Sequence, residues 1–241
     1  MDAHLAAKDE LRRLLRRIAK RLGLNAAAIE IIGARSEIVT HGRSARICGP
    51  QTCADFVRIL VQGAAKIVCR PERGKPFIVR FAAPGEFLCV PQPKKAAGYV
   101  IEIVAHDDVT LALLTRSHML EAIAAMPVSG VGQLASWSFR APTRLLFEKL
   151  LGRRLPLPAR VAIELKDLAR RFAWREDPGV VIDLDLSRQE LADLTCASPA
   201  RISDAMKKLR MQGLVDRLGR KIVVTDRLLE ADHVGPRDED D

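Results

Sequence analysis

The chain has 241 residues, 48% of them hydrophobic, and carries a formal net charge of +9 at pH 7. Its length predicts two domains, and no apolar run approaches the ~18 residues that a membrane span requires. The N-terminal MDAHLAAKDELRRLL is charged where a signal peptide would be apolar, and an odd five cysteines without dense spacing favour reduced thiols, which together predict a soluble cytoplasmic protein.

Residues 3–22 predict an amphipathic helix, because Leu5, Leu11, Leu14, Leu15, Ile18 and Leu22 form an apolar stripe and Gly23 supplies the stop. Arg12, Arg13, Arg16, Arg17, Lys20 and Arg21 crowd the other face, which reads as the solvated side of a helix packed on its own protein in preference to a membrane or nucleic-acid arm. From about Ile29 to Leu114 the pattern becomes that of short strands. The runs 56–63, 65–69, 76–81, 99–105 and 109–114 are separated by Gly, Pro and basic turns, a spacing that implies a sandwich or jelly roll. A short helix is expected over 118–125 and a longer one over 127–152, with Val131, Leu134, Trp137, Leu145, Leu146 and Leu150 available to a partner. Gly130 and Gly132 weaken the start of that helix, and Pro142 should kink or break it. Leu155-Pro156-Leu157-Pro158 follows as a stiff hinge, then a helix over 159–172, a turn at 177–179 and a short strand over 180–184.

The stretch SRQELADLTCASPARISDAMKKLRMQGLVDRLGRK, from Ser187 to Lys221, is the most legible part of the chain. Ser187 and Glu190 make a capping box that starts one helix, and Ser198-Pro199 starts a second, so two short helices meet at a corner around 195–197. The second helix buries Ile202, Ala205, Met206 and Leu209 and ends at Gly213. Two strand-like runs about Gly219 then form a small hairpin. Helix, turn, helix and basic hairpin is the geometry that places a second helix in a DNA major groove. From Pro156 onward there are 15 Lys and Arg against 17 Asp and Glu, so the surplus charge of the chain lies before this region; within 199–221, however, seven basic residues face only Asp204 and Asp216.

The pattern Gln-Glu-Leu-Ala-Asp-Leu, Ser-Pro-Ala-Arg-Ile-Ser and Leu-x-x-Gln-Gly-Leu-Val resembles the winged helix-turn-helix of Crp/Fnr-type transcription regulators over roughly residues 157–229. The order of elements before it resembles the β-roll of the same family, with Leu60-Val-Gln-Gly63 and Pro84-Gly85-Glu86-Phe87 at the strand-ending glycine and the Pro-Gly-Glu turn. The resemblance implies an α+β protein: a helical extension (1–28), an effector-sensing β-roll or jelly roll (29–126), a dimerisation helix and hinge (127–155), a winged helix (156–232) and an acidic tail (233–241). It implies a homodimer reading a two-fold symmetric operator in double-stranded DNA, with RNA polymerase a candidate further partner. Arg201, Ser203 and Asp204 are then the expected base readers, Lys207, Lys208, Arg220 and Lys221 the phosphate contacts, and Ser187, Arg188, Thr195 and Ser198 the positioning residues. The family's recognition helix begins with Arg/Glu-type side chains and has an arginine farther along. Pro199, Ala200 and Asp204 replace these here, so a different half-site is expected.

For the effector, the cyclic-nucleotide readers of the family pair a Gly-Glu turn with a later Arg-Ser/Thr-Ala run. Gly85-Glu86 is present, but the later position reads Ala96-Ala97-Gly98-Tyr99 without an arginine, so a cyclic nucleotide is not expected. Iron–sulfur members carry clustered N-terminal cysteines that this chain lacks. Cys89 lies where a haem-binding branch has a cysteine ligand, but Pro91 replaces the histidine that follows, so haem would need His106, His118 or the N-terminus. Cys48, Cys53, Cys89, Cys196 and Glu86 are therefore the effector or redox candidates, with a buried structural role favoured for most of the cysteines. Cys196 is the exception: it occupies the helix-turn-helix corner, where glycine is usual, and its oxidation is expected to alter DNA binding. An enzyme is not expected, as there is no nucleophile elbow, Walker loop or His-x3-His pair; a cupin-like metal enzyme is the alternative from another class.

Overall fold

The computed structural model describes residues 2–49, 56–88, 98–138, 154–176 and 179–231. The chain divides into two units, Met1–Leu145 and Leu146–Asp241.

The first unit opens with α1 (Asp2–Leu22) and α2 (Ala26–Arg35), then β1 (Glu37–His41), β2 (Arg46–Cys48), β3 (Phe56–Gln62), β4 (Ala65–Pro71), β5 (Phe77–Ala82), β6 (Tyr99–Ala105) and β7 (Val109–Thr115). It continues into α3 (Arg116–Ala124) and a helix, α4, described over 128–138. Two antiparallel sheets, ordered β1-β7-β3 and β2-β6-β4-β5, face each other as a β-roll. Strand alternation explains the layers. On β3, Leu60 points into the roll against Ile103 and Leu111, while Ile59 and Val61 point outward and are covered by Leu11, Leu14, Leu15, Ile29 and Ile32 of the helices. A strand buried on both faces reads as a continuous apolar run, which is why FVRILVQ shows so little alternation.

The strand-like reading from Ile29 needs correction, since α2 occupies 26–35. Asn25 caps it by accepting from the Ala28 amide at 2.9 Å, and tertiary burial of Ala28, Ile29 and Ile32 outweighs the β preference of the isoleucines. Strands β1 and β2 were too short to announce themselves. Leu134 and Trp137 of α4 pack on the first unit's own core, Trp137 edge-on to Phe87, instead of being free for a partner; Val128 and Val131 remain exposed. Pro142 and the rest of the expected dimerisation helix lie outside the described residues.

Gly130 does not weaken α4; it admits α1. A Cβ on Gly130 would lie 2.4 Å from the Gly23 carbonyl oxygen, and one on Gly23 would meet the Gly130 oxygen at the same distance. The end of α1 is fastened there by the Gln133 amide donating to the Lys20 carbonyl at 2.6 Å. On β6, Glu102 is buried between Arg70 at 2.9 Å and Arg46 at 3.3 Å. Burial by itself would raise its pKa, but the hydrogen bonds and charges of Arg70 and then Arg46 hold it below the usual carboxylate value.

The second unit holds α5 (Leu157–Phe172), β8 (Ala173–Glu176), β9 (Gly179–Ile182), α6 (Arg188–Thr195), α7 (Pro199–Met211), β10 (Val215–Leu218), β11 (Lys221–Thr225) and α8 (Asp226–Glu230). Its four strands form one antiparallel sheet, ordered β10-β11-β9-β8. Helix α5 starts at Leu157, two residues earlier than expected, because Pro158 sits in the first turn, where no amide donor is needed. Leu165 and Leu168 of α5, Leu191 and Leu194 of α6, Ile202 and Leu209 of α7 and Val224 of β11 are buried and form its core.

Two outcomes are expected. Gly130→Ala forces α1 and α4 apart and should lower stability by about 1–3 kcal/mol in denaturant unfolding. Glu102 has a lower pKa folded than unfolded, so its contribution is complete above the ordinary carboxylate pKa and is lost as pH falls through the depressed one. Glu102→Gln should therefore be clearly less stable than wild type near neutral pH, with the gap closing in acid.

Candidate nucleic-acid interface

The DNA-facing geometry is built from local caps. Ser187 Oγ accepts from the Glu190 amide at 3.1 Å, and the Glu190 carboxylate accepts the Ser187 amide at 2.9 Å, so the capping box closes in both directions. Helix α6 then ends at Cys196, which adopts φ 50 and ψ 49, the left-handed region. The Ala197 amide returns to the Ala192 carbonyl at 2.9 Å and seals the turn. Pro199 takes the first position of α7, as its missing amide donor allows; the Ser198 hydroxyl makes no cap bond, so the backbone and the proline start this helix.

Burial orients α7. Ile202, Ala205, Met206 and Leu209 are all buried. At 100° per residue the opposite, outward line is Ala200, Asp204, Lys207 and Met211, all exposed, with Arg201 and Lys208 on one flank and Ser203 and Arg210 on the other. Ser203 is half-buried and its hydroxyl donates to the Pro199 carbonyl at 3.3 Å. Strands β10 and β11 form a hairpin through Gly219 and Arg220, with Gly219 at φ +59 making the two-residue turn and Arg220 exposed at its tip.

Two of the expected contacts sit differently. Thr195 is buried, and its hydroxyl donates to the Leu191 carbonyl at 2.7 Å, so it braces the corner from inside and presents nothing at the surface. A threonine late in a helix satisfies its hydroxyl on the preceding turn, a preference the motif alone did not reveal. Lys221 is paired with Asp183 at 2.5 Å and lies over the Trp174 ring at 4.3 Å, so its charge is partly engaged within the sheet. Arg210 and Arg217, which the motif did not single out, are exposed beside Ser203 and in the wing.

A Crp-like helix-turn-helix domain model matches residues 159–228. The chain carries a helix-turn-helix of the Crp type. It is 28% identical over 183 residues to the transcriptional activator protein FnrL of Cereibacter sphaeroides, covering 73% of this chain and 72% of that protein. Its fold is similar to that of FixK2 from Bradyrhizobium japonicum, with 24% identity, a TM-score of 0.65 and coverage of 80% of this chain and 95% of that one. It is also similar to a CooA mutant from Carboxydothermus hydrogenoformans, with 15% identity, a TM-score of 0.63 and coverage of 86% and 97%.

In the β-roll of the first unit, the Gly85-Glu86 turn is internally committed. The Glu86 carboxylate pairs with Arg80 at 2.5 Å and accepts the Ala83 amide at 3.2 Å. Cys48 is buried and disulfide-bonded, which corrects the expectation of reduced thiols throughout; an odd count argues against a framework of bridges and is silent about a single one. Cys53 and Cys89 lie outside the described residues. Cys69 is a free, buried thiol whose pKa burial raises, and Cys196 is free and exposed. His106 is buried with its ring edge-on to Phe81, centroids 5.1 Å apart, and among the described residues no three His, Cys, Asp or Glu side chains come together as a metal site. No described helix is long and apolar enough to cross a membrane.

The corner carries a measurable strain. A side chain in the left-handed region costs about 1 kcal/mol, which glycine avoids. Cys196→Gly should raise the melting temperature of the second unit without loss of DNA binding, read by calorimetry beside a binding assay.

Proposed function

We propose that the protein is a Crp/Fnr-type transcription regulator that binds DNA as a homodimer, laying α7 of each protomer in the major groove of a two-fold symmetric operator. The observation that carries this reading is the outward line of α7, held free of the module's core between a capped corner and a basic hairpin. Asp204 lies on that line, where a carboxylate can accept from a cytosine amine; Arg201 reaches base edges from one flank and Ser203 from the other. Lys207, Lys208 and Arg220 meet phosphates, with Lys221 a weaker contributor because Asp183 competes for it. Ser187, Arg188 and Ser198 lie exposed at the two helix starts and position the module on the backbone.

The β-roll is read as a sensor of something other than a cyclic nucleotide. Glu86 would have to leave Arg80 and the Ala83 amide before it could accept a ribose hydroxyl, which opposes that ligand.

A second reading is favoured by one observation, an exposed free thiol in the left-handed corner that aims α7. Peroxide converting that thiol to a sulfenic acid, with release of water, adds bulk where the turn is tightest. In this reading oxidised wild type loses operator affinity, while Cys196→Ser is equally active under oxidising and reducing conditions; equal loss in both proteins would move the redox control elsewhere.

Selection from random duplexes followed by binding assays tests the main reading. Arg201→Ala should narrow the gap between selected and random duplexes by about 1–3 kcal/mol. Lys207→Ala should weaken both alike and flatten the dependence on salt. Equal losses on the two duplexes for the Arg201 variant would remove it from base reading.

A further inference from the structure

The second unit has a cleft of about 170 Å³ between the start of α6, the end of α7 and the hairpin. Arg188 of α6, Arg210 of α7 and Arg217 of β10 line it, with Ser203 beside them and Leu191 and Met206 among the apolar side chains. Among the described residues none of these three guanidinium groups makes an ion pair or a side-chain hydrogen bond, whereas the neighbouring carboxylates are already spent. Glu190 closes the capping box, Asp193 accepts from the Gln189 amide at 2.7 Å, and Asp216 accepts the Arg217 backbone amide at 2.8 Å. Three like charges drawn from three separate elements repel one another. The apolar side chains between them offer no counter-charge.

We propose that Arg188, Arg210 and Arg217 form one seat for a phosphodiester group of the DNA backbone. A guanidinium presents a planar fork of donors that matches phosphate oxygens, and an anion placed among the three relieves their mutual repulsion as it binds. The seat joins the hairpin to both helices through a single ligand. It lies on the Ser203 and Arg210 flank of α7, so it fixes how the helix is rolled in the groove and leaves base edges to the outward line. The proposal rests on the DNA-binding reading above and adds to it Arg210 and Arg217, neither of which the sequence motif marks.

The test uses the full-length protein with a selected duplex. Arg210→Gln and Arg217→Gln, singly and together, are compared with wild type and with Arg73→Gln, an exposed arginine of the first unit. Each seat variant should bind roughly tenfold more weakly, as expected for loss of one charge-assisted contact. Because the arginines share one phosphate, the double variant should lower the slope of log affinity against log salt by about 0.9, the amount for a single phosphate. Single methylphosphonate substitutions along each strand then locate the group: one position should weaken wild type and leave the double variant unchanged. Arg73→Gln should behave as wild type, and melting curves of all variants should coincide, since the substituted side chains are exposed.

Wild-type affinity and salt slope in the Arg210 and Arg217 variants would overturn the seat while leaving the DNA-binding reading intact. Weakened variants without any methylphosphonate position that separates them from wild type would also overturn it, in favour of a general field of charge. A wild-type protein that binds no duplex would overturn the DNA-binding reading and the seat with it.

Discussion

The direction in which α7 projects depends on the backbone of a single residue, Cys196, held in the left-handed region. If that residue relaxed to an extended or right-handed conformation, α6 and α7 could not both keep their caps and their buried faces. The strain is tolerated because neighbouring bonds fix it: the capping box at Ser187 sets where α6 begins, the Thr195 hydroxyl ties its last turn, and the Ala197 amide closes the corner. Each bond is modest, about 0.5–1.5 kcal/mol net, but together they remove the alternatives open to a three-residue link. The recognition helix is thus aimed by backbone satisfaction, and its exposed side chains are left for the ligand.

These signals are short-range, which is why they were legible. A serine three residues before a glutamate, or a serine before a proline, constrains the chain wherever it occurs. The buried set Ile202, Ala205, Met206 and Leu209 follows directly from helical period, and the main strands of the roll follow from apolar runs between turns. What stayed hidden depended on contacts far apart in sequence. Helix α2 contains three isoleucines whose local preference is for strand, and only burial between α1, α3 and β3 makes it helical. Gly130 looked like a weak helix start because its reason is Gly23, more than a hundred residues earlier. Thr195 looked like a surface hydroxyl because no pattern says which way a last-turn side chain faces.

The same distinction separates the two halves of the candidate site. The positions proposed to read bases come from the phase of one helix and can be counted off the sequence. A convergence of arginines from α6, α7 and β10 is a product of tertiary packing, since Arg188, Arg210 and Arg217 share no spacing that marks them. In the β-roll Gly85-Glu86 matches the outline of a nucleotide-binding turn, and only the position of Arg80 reveals that its carboxylate is already occupied.

Charge placement shows why net charge is a poor guide here. The basic surplus of the chain lies before residue 156, while the second unit from Pro156 to the end of the chain has slightly more acidic than basic residues. Its carboxylates, however, are used internally: Glu190 on the α6 cap, Asp167 on Arg171, Asp226 on Arg175 and Asp183 on Lys221. Apart from Asp183, which engages Lys221 of the hairpin, these uses neutralise acids without consuming the arginines and lysines on the exposed flanks of α7 and the hairpin. A chain of the same composition without those caps and pairs would present a mixed surface with little attraction for phosphate. The basic face therefore follows from how folding spends the acidic residues, so the capping that shapes the helices also sets the field they present.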